Sequence, residues 1–259
     1  MPKQNLSIKT GNIFGLGEHR LLCGDATSSG QIERLISGEK IKAIVTDPPY
    51  GVDYVAGKRD LGRIPRANKV IKNDNFQSEE EYRVFTRDWL EAVKHYLETK
   101  NSFYVFNSDK MLYSLRDGVL DAGFKAAQLL IWVKSQPIIG RLDYMPQHEL
   151  ILYGWFGRHE FLKSKDRSVL FHPKPNKSSL HPTMKPVSLL RRLILNSTRI
   201  GDLVYDPFGG SGSTLIACEQ IRRKCLMIEI DPKYCQVIIK RWEKLSGSRA
   251  EKQESDLHE

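Results

Sequence analysis

An α/β fold, a mostly parallel sheet with helices on both faces, is predicted by three observations. Short apolar runs alternate with stretches of helical periodicity along most of the 259 residues. One apolar run stops at Asp47-Pro48-Pro49-Tyr50, where proline cannot continue a central ladder. Another opens into the glycine-rich turn Asp206-Pro207-Phe208-Gly209-Gly210-Ser211-Gly212 before a helical segment, the strand-turn-helix order of ligand-binding α/β proteins.

The elements follow in chain order. Residues 20–25 (RLLCGD) read as a strand and 31–36 as a short helix, and KAIVT is a buried strand leading into DPPY. Residues 79–97 carry Tyr82, Phe85, Trp89, Val93 and Leu97 on one helical face. A strand at 101–108, a helix at 111–121 and strands at 124–134 and 148–155 come next, the last two forming the expected antiparallel pair. The remainder reads as a helix at 186–196, a strand in DLVYDPF, a helix at 213–221, a strand in KCLMIEID and a final helix at 232–245. Residues 1–245 are therefore expected to form a single domain, and the polar stretch 246–259 a frayed tail.

Composition narrows the function classes. An apolar fraction of 40% with 27% charged residues is ordinary for a soluble globular protein, and no apolar run is long enough for a membrane span. The polar start MPKQNLSIKT has no signal-peptide core, which predicts a cytoplasmic protein. Four cysteines, with no CxxC pair and no histidine at zinc-like spacing, predict neither disulfides nor a metal site.

The net charge of +9 is localised. Residues 55–72 set Lys58, Arg59, Arg63, Arg66, Lys69 and Lys72 against Asp60, a net of +5. Residues 157–178 set Arg158, Lys163, Lys165, Arg167, Lys174 and Lys177 against Glu160 and Asp166, a net of +4. Cations confined to two loop-like stretches suit a phosphate backbone, where each neutralised phosphate releases counterions, and point to a nucleic acid as partner.

The glycine turn excludes a phosphate-binding P-loop, because Gly212 stands where a lysine is needed before Ser213. Glu229, at the end of the next strand, is placed to accept hydrogen bonds from ribose hydroxyls, which suggests an adenosine-containing ligand. DPPY suits a different task. An aromatic amine is a poor nucleophile because its lone pair is delocalised. Asp47 and the Pro48 carbonyl can each accept one amino hydrogen, drawing the nitrogen towards a tetrahedral shape, while Tyr50 offers a ring on which a base stacks. Pro48 and Pro49 stiffen that backbone.

Together these residues resemble the beta class of amino-directed (N6-adenine/N4-cytosine) DNA methyltransferases, in which DPPY precedes the FxGxG turn in circularly permuted order. The resemblance runs from about Arg20 to Trp242 and includes LLCGD, HPTMKP at 181–186 and MIEID. It implies a Rossmann-like methyltransferase fold and S-adenosylmethionine as cofactor. Asp25 would meet its adenine, Glu229 its ribose, and Thr183, Lys185 and Ser211 its methionine end, with Asp206 and the 208–212 turn alongside. A base reaches such a pocket only when flipped from the duplex. DPPY with Asp first leans to adenine N6; cytosine N4, an amide or RNA methyltransferase, and a silent nucleic-acid-binding module are the alternatives. The 55–72 loop is expected to close over DNA. The segment at about 157–180 falls where the class carries its target-recognition region and is short for one, suggesting a short recognition sequence, a partner such as a restriction endonuclease, or a homodimer.

Overall fold

Each apolar run finds a strand neighbour, and the ends of those strands create the crevice on which function depends. A computed structural model describes residues 7–49, 78–137, 143–163, 166–173 and 184–253. In order these form β1 (Ile13–Leu16), β2 (His19–Cys23), α1 (Ser29–Ile36), β3 (Ile41–Thr46), α2 (Glu79–Val93), β4 (Leu97–Asn107) and α3 (Leu112–Asp121). Then come β5 (Lys125–Val133), β6 (His148–Trp155), β7 (Arg158–His159), β8 (Val169–Phe171) and α4 (Val187–Ser197). β9 (Leu203–Asp206), α5 (Ser213–Ile221), β10 (Lys224–Glu229), α6 (Pro232–Ser246) and β11 (Glu251–Gln253) follow.

The sheet runs β11-β1-β2-β10-β9-β3-β4-β6-β5-β8, with β7 pairing the start of β4. Its centre, β2-β10-β9-β3-β4, is parallel throughout. β5 and β6 form the antiparallel pair expected from the sequence. One face of the sheet packs against Leu189, Leu193, Leu215 and Ile238 of α4, α5 and α6; the other packs against Ile32, Trp89 and Leu115 of α1, α2 and α3. Both faces of the central strands are thus dry, which is why those strands read as continuous apolar runs rather than alternating ones.

Local chemistry sets the helix ends. Ser78 Oγ accepts the Glu81 N–H at 3.2 Å and the Glu81 carboxylate accepts the Ser78 N–H at 2.7 Å, a capping box that starts α2. Asp231 caps α6 through the Lys233 N–H at 2.9 Å, and Pro232 opens that helix. At its other end α2 stops at Val93, not at Leu97 as helical spacing suggests, because Leu97 pairs with Ile41 as the first residue of β4. Strand pairing overrides the helical pattern there.

The frayed tail needs a correction. Glu251–Gln253 forms β11, paired antiparallel with β1, and Ala250 is buried beside it. All three strand residues are exposed, so no apolar alternation announces the strand; the open edge of β1 supplies the hydrogen-bond partners. Among the described residues no helix is long and apolar enough to cross a membrane, and the four cysteines are buried.

Candidate active site

The parallel strands β2, β10, β9 and β3 all end on one edge of the sheet, where Asp25, Glu229, Asp206 and Asp47 follow or close them. Ile44 of β3 lies opposite Tyr205 of β9, so the DPPY segment and the glycine turn leave neighbouring strands on the same side. A buried hydrogen bond joins the two corners: Thr46 Oγ1 donates to Asp206 Oδ1 at 2.7 Å. The same oxygen accepts the Phe208 N–H at 3.1 Å, so Asp206 clamps both corners. Burial pushes the Asp206 carboxyl up to about 6, against the hydrogen bonds from Thr46, Thr214 and the Phe208 amide.

The turn itself is tied to β10. Gly209 N–H donates to Ile228 O at 2.8 Å and Gly210 N–H to Glu229 Oε2 at 2.7 Å. A Cβ on Gly209 would fall 2.7 Å from the Met227 side chain, so only glycine lets the turn lie this close to the strand. Gly212 caps α5 at φ +79°, and a Cβ there would meet Ile238 at 3.0 Å. Gly212→Ala is expected to destabilise the fold by about 1–3 kcal/mol from the left-handed backbone conformation and that contact, read as a fall in Tm; an unchanged Tm would contradict it. From α6, Arg241 Nη1 donates to Ser211 O at 3.0 Å and to Ser213 Oγ at 3.1 Å, bracing the turn from behind.

Glu229 faces the crevice with 8% of its surface exposed. Its two oxygens accept the Asp231 N–H at 2.9 Å and the Gly210 N–H at 2.7 Å. Burial nevertheless pushes its carboxyl up to about 7, helped by the charges of Asp231 and Asp206. Asp25 is exposed and accepts the Thr27 amide and hydroxyl, each at 2.8 Å. Phe208 packs on Phe85 and Trp89, with ring centroids 5.6 and 5.7 Å away.

On the other side of the crevice Asp47, 23% exposed at its side chain, pairs with the buried Lys185 ammonium. Lys185 also lies 3.1 Å from Glu149 and over the Phe106 ring at 5.2 Å. Burial lowers the proton affinity of this lysine, but Asp47 and Glu149 outweigh it and hold the ammonium far above its usual range. The arrangement offers a carboxylate beside a proline-stiffened strand end on one side, and an acidic glycine turn on the other.

Residues 41–241 match the N6/N4 methylase family, described as DNA methylase. The chain belongs to that DNA methylase family. Among its relatives, the type II methyltransferase M.HpaI of Haemophilus parainfluenzae is 28% identical over 247 residues, covering 85% of this chain and 73% of that protein. The type II methyltransferase M2.DpnII of Streptococcus pneumoniae is 27% identical over 224 residues, covering 79% and 83%. The fold is shared with the M1.HpyAVI–SAM complex (TM-score 0.61, 23% identity, 82% of this chain and 95% of that one). It is shared equally with the PvuII cytosine-N4-specific DNA methyltransferase (TM-score 0.64, 19% identity, 88% and 89%). The α/β methyltransferase fold expected from the motif order is the fold observed.

Within this DNA methylase, Asp25, Asp47, Pro48, Pro49, Lys185, Asp206, Phe208, Gly209, Gly210, Ser211, Gly212 and Glu229 are gathered at one edge of the sheet. Tyr50, Thr183, Lys58, Arg59, Arg63, Arg66, Lys69, Lys165, Lys174 and Lys177 lie outside the described residues. Lys163 is not brought to the crevice. Its neighbour Leu162 bonds Asn196 O at the far end of α4, and β7 pairs with Lys100 and Asn101 at the start of β4, both at the opposite edge. Arg167 is exposed and follows Asp166, which pairs with Arg192 of α4.

Three side chains at the site escape sequence reasoning. Glu149, Lys134 and Arg241 sit inside a strand, after a strand and in a long helix, where a lone charge reads as solvated. A signal exists for the first two. Glu149 shares its strand face with Ile151 and Tyr153, and Lys134 shares one with Trp132, all core residues packed with α4. Charges in phase with a buried face need a partner.

Proposed function

We propose that this DNA methylase transfers the methyl group of S-adenosylmethionine to the N6 amino group of an adenine flipped out of double-stranded DNA. The observation that carries the reading is the Thr46–Asp206 hydrogen bond, which brings the DPPY strand end against the glycine turn. A cofactor site and an amine-binding site then open on one crevice.

The donors and acceptors suit this cofactor. Asp206 and Glu229 make the turn acidic, and Arg241 is engaged with Ser211 and Ser213, so a pyrophosphate is disfavoured and a cationic sulfonium ligand with a ribose diol is favoured. When bound, S-adenosylmethionine supplies an electrophilic methyl group. Glu229 would accept the ribose hydroxyls, Asp25 would meet the adenine, and Thr183 and Ser211 would hold the methionine end. Lys185, which donates to Asp47 and lies 3.1 Å from Glu149, would join them through a remaining N–H.

The chain's own chemistry acts on the target base. The Asp47 carboxylate and the Pro48 carbonyl each accept one amino hydrogen, localising the nitrogen lone pair, and Pro48 and Pro49 hold both acceptors in place beforehand. Tyr50 provides the stacking surface for the extruded base. No covalent nucleophile is needed. Lys58, Arg59, Arg63, Arg66 and Lys69 in the sequence after DPPY, with Arg167, Lys174 and Lys177, would neutralise phosphates flanking the flipped base.

Asp47 as first residue of DPPY favours adenine N6 over cytosine N4, by resemblance to the class. Incubation with methyl-tritiated cofactor and duplex DNA, followed by digestion to nucleosides, is expected to put the label in N6-methyladenine. Label in N4-methylcytosine would replace the substrate reading, and no label in any nucleoside would overturn the activity.

A further inference from the structure

Four charges lie in sequence beneath the Asp47 side of the crevice. Lys134 Nζ is 2.9 Å from Glu149 Oε1, Glu149 Oε2 is 3.1 Å from Lys185 Nζ, and Lys185 in turn pairs with Asp47 Oδ2. Lys134 is 2% exposed and Lys185 8%, so both ammoniums depend on these carboxylates, which are themselves about a quarter exposed, for their counter-charge. A buried ion-pair row adds little stability over apolar side chains of similar size. Its position beside the proposed amine acceptor asks for a role in the reaction.

A lysine ammonium is a point charge on a flexible stem, and its effect on Asp47 depends on where that stem is held. With Glu149 on the other side, Lys185 is fixed between two carboxylates over the Phe106 ring. We propose that Glu149 is a positioning residue for methyl transfer, dividing the Lys185 charge between two carboxylates so that Asp47 stays a strong hydrogen-bond acceptor for the target amine. The proposal rests on the reading of Asp47 given above. In keeping with it, burial would raise the Glu149 carboxyl, yet Lys185 and Lys134 outweigh that and hold it below the usual carboxylate range, so it is ionised.

The test is the full-length Glu149→Gln variant, assayed at saturating cofactor and duplex DNA across pH. Without the second carboxylate the Lys185 charge falls more fully on Asp47. We expect kcat to fall about tenfold and the acid limb of the kcat–pH profile to move to lower pH, because a nearby negative charge is gone. Glu149→Asp keeps the charge and is expected to recover most of the rate and the original limb; should Glu149→Gln not fold, an unaltered acid limb with near-native kcat in Glu149→Asp remains the required result. Unchanged kcat in Glu149→Gln overturns the proposal. So does an equal loss in both variants with the limb unmoved, which marks a packing role, or a loss confined to cofactor affinity. Asp47→Asn separates the two levels. If it turns over normally, the reading of Asp47 fails; if it is inactive while Glu149→Gln is normal, only the positioning role fails.

Discussion

Asp47→Ala is expected to lower kcat by about 10³-fold or more while leaving cofactor affinity within a few-fold of wild type. An acceptor aimed at a group that changes shape in the transition state acts mainly on kcat, because it binds the distorted amine more strongly than the flat one. The variant should still fold. Lys185 retains Glu149 at 3.1 Å as a counter-ion, so deleting Asp47 does not strand a buried ammonium. Asp47 is also partly exposed, so little packing is lost. Single-turnover methylation with labelled cofactor, alongside calorimetric binding of the same cofactor, measures both quantities. Near-native turnover would refute the assignment of Asp47, and a matching collapse of cofactor binding would move Asp47 from the amine to the cofactor.

Glu229→Ala should have the complementary signature. Loss of a buried acceptor for two ribose hydroxyls is expected to weaken cofactor affinity about 100-fold, with a much smaller change in kcat at saturation. The Gly210 and Asp231 amides also lose their acceptor, so the glycine turn loosens with the ligand site. The pH dependence carries a sign that can be checked. Burial pushes this carboxyl up to about 7 from an ordinary 4.5. Hydroxyl donors prefer the ionised form, so cofactor affinity of the wild type should weaken as pH falls below about 7.

Stability of the free protein runs the opposite way. Between 4.5 and about 7 the folded chain keeps a proton that the unfolded chain has released, so this group's contribution to stability declines as pH rises through that window. Thermal unfolding of wild type against Glu229→Ala across the window reads the difference. A cofactor affinity for wild type that is flat with pH, or unaffected by the alanine, would remove Glu229 from the cofactor site.

Much of this site was legible because its chemistry is local in the chain. Asp47, Pro48 and Pro49 are adjacent, and Gly209, which must approach Met227, lies within the same short turn as Gly210 and Gly212. Their residue types follow from backbone constraints that hold in any context. Element identities were legible for the same reason, since apolar periodicity records which faces become dry. Glu149 and Lys134 were legible only in part, because their phase with buried residues shows that each needs a partner while strand order decides which one it meets. The strand Glu251–Gln253 was invisible because backbone pairing with the edge of β1 creates it without any apolar residue.

The sequence by itself determined the class of fold, the DNA methylase motifs and the two corners that carry them, through constraints acting over a few residues at a time. Only the tertiary structure decided that those corners share a hydrogen bond, that Lys185 meets Asp47 and Glu149, and that Lys163 lies at the opposite edge. Those relations join residues 36 to 160 positions apart or depend on which edge a loop turns to, and both are settled by strand order and register rather than by any local preference.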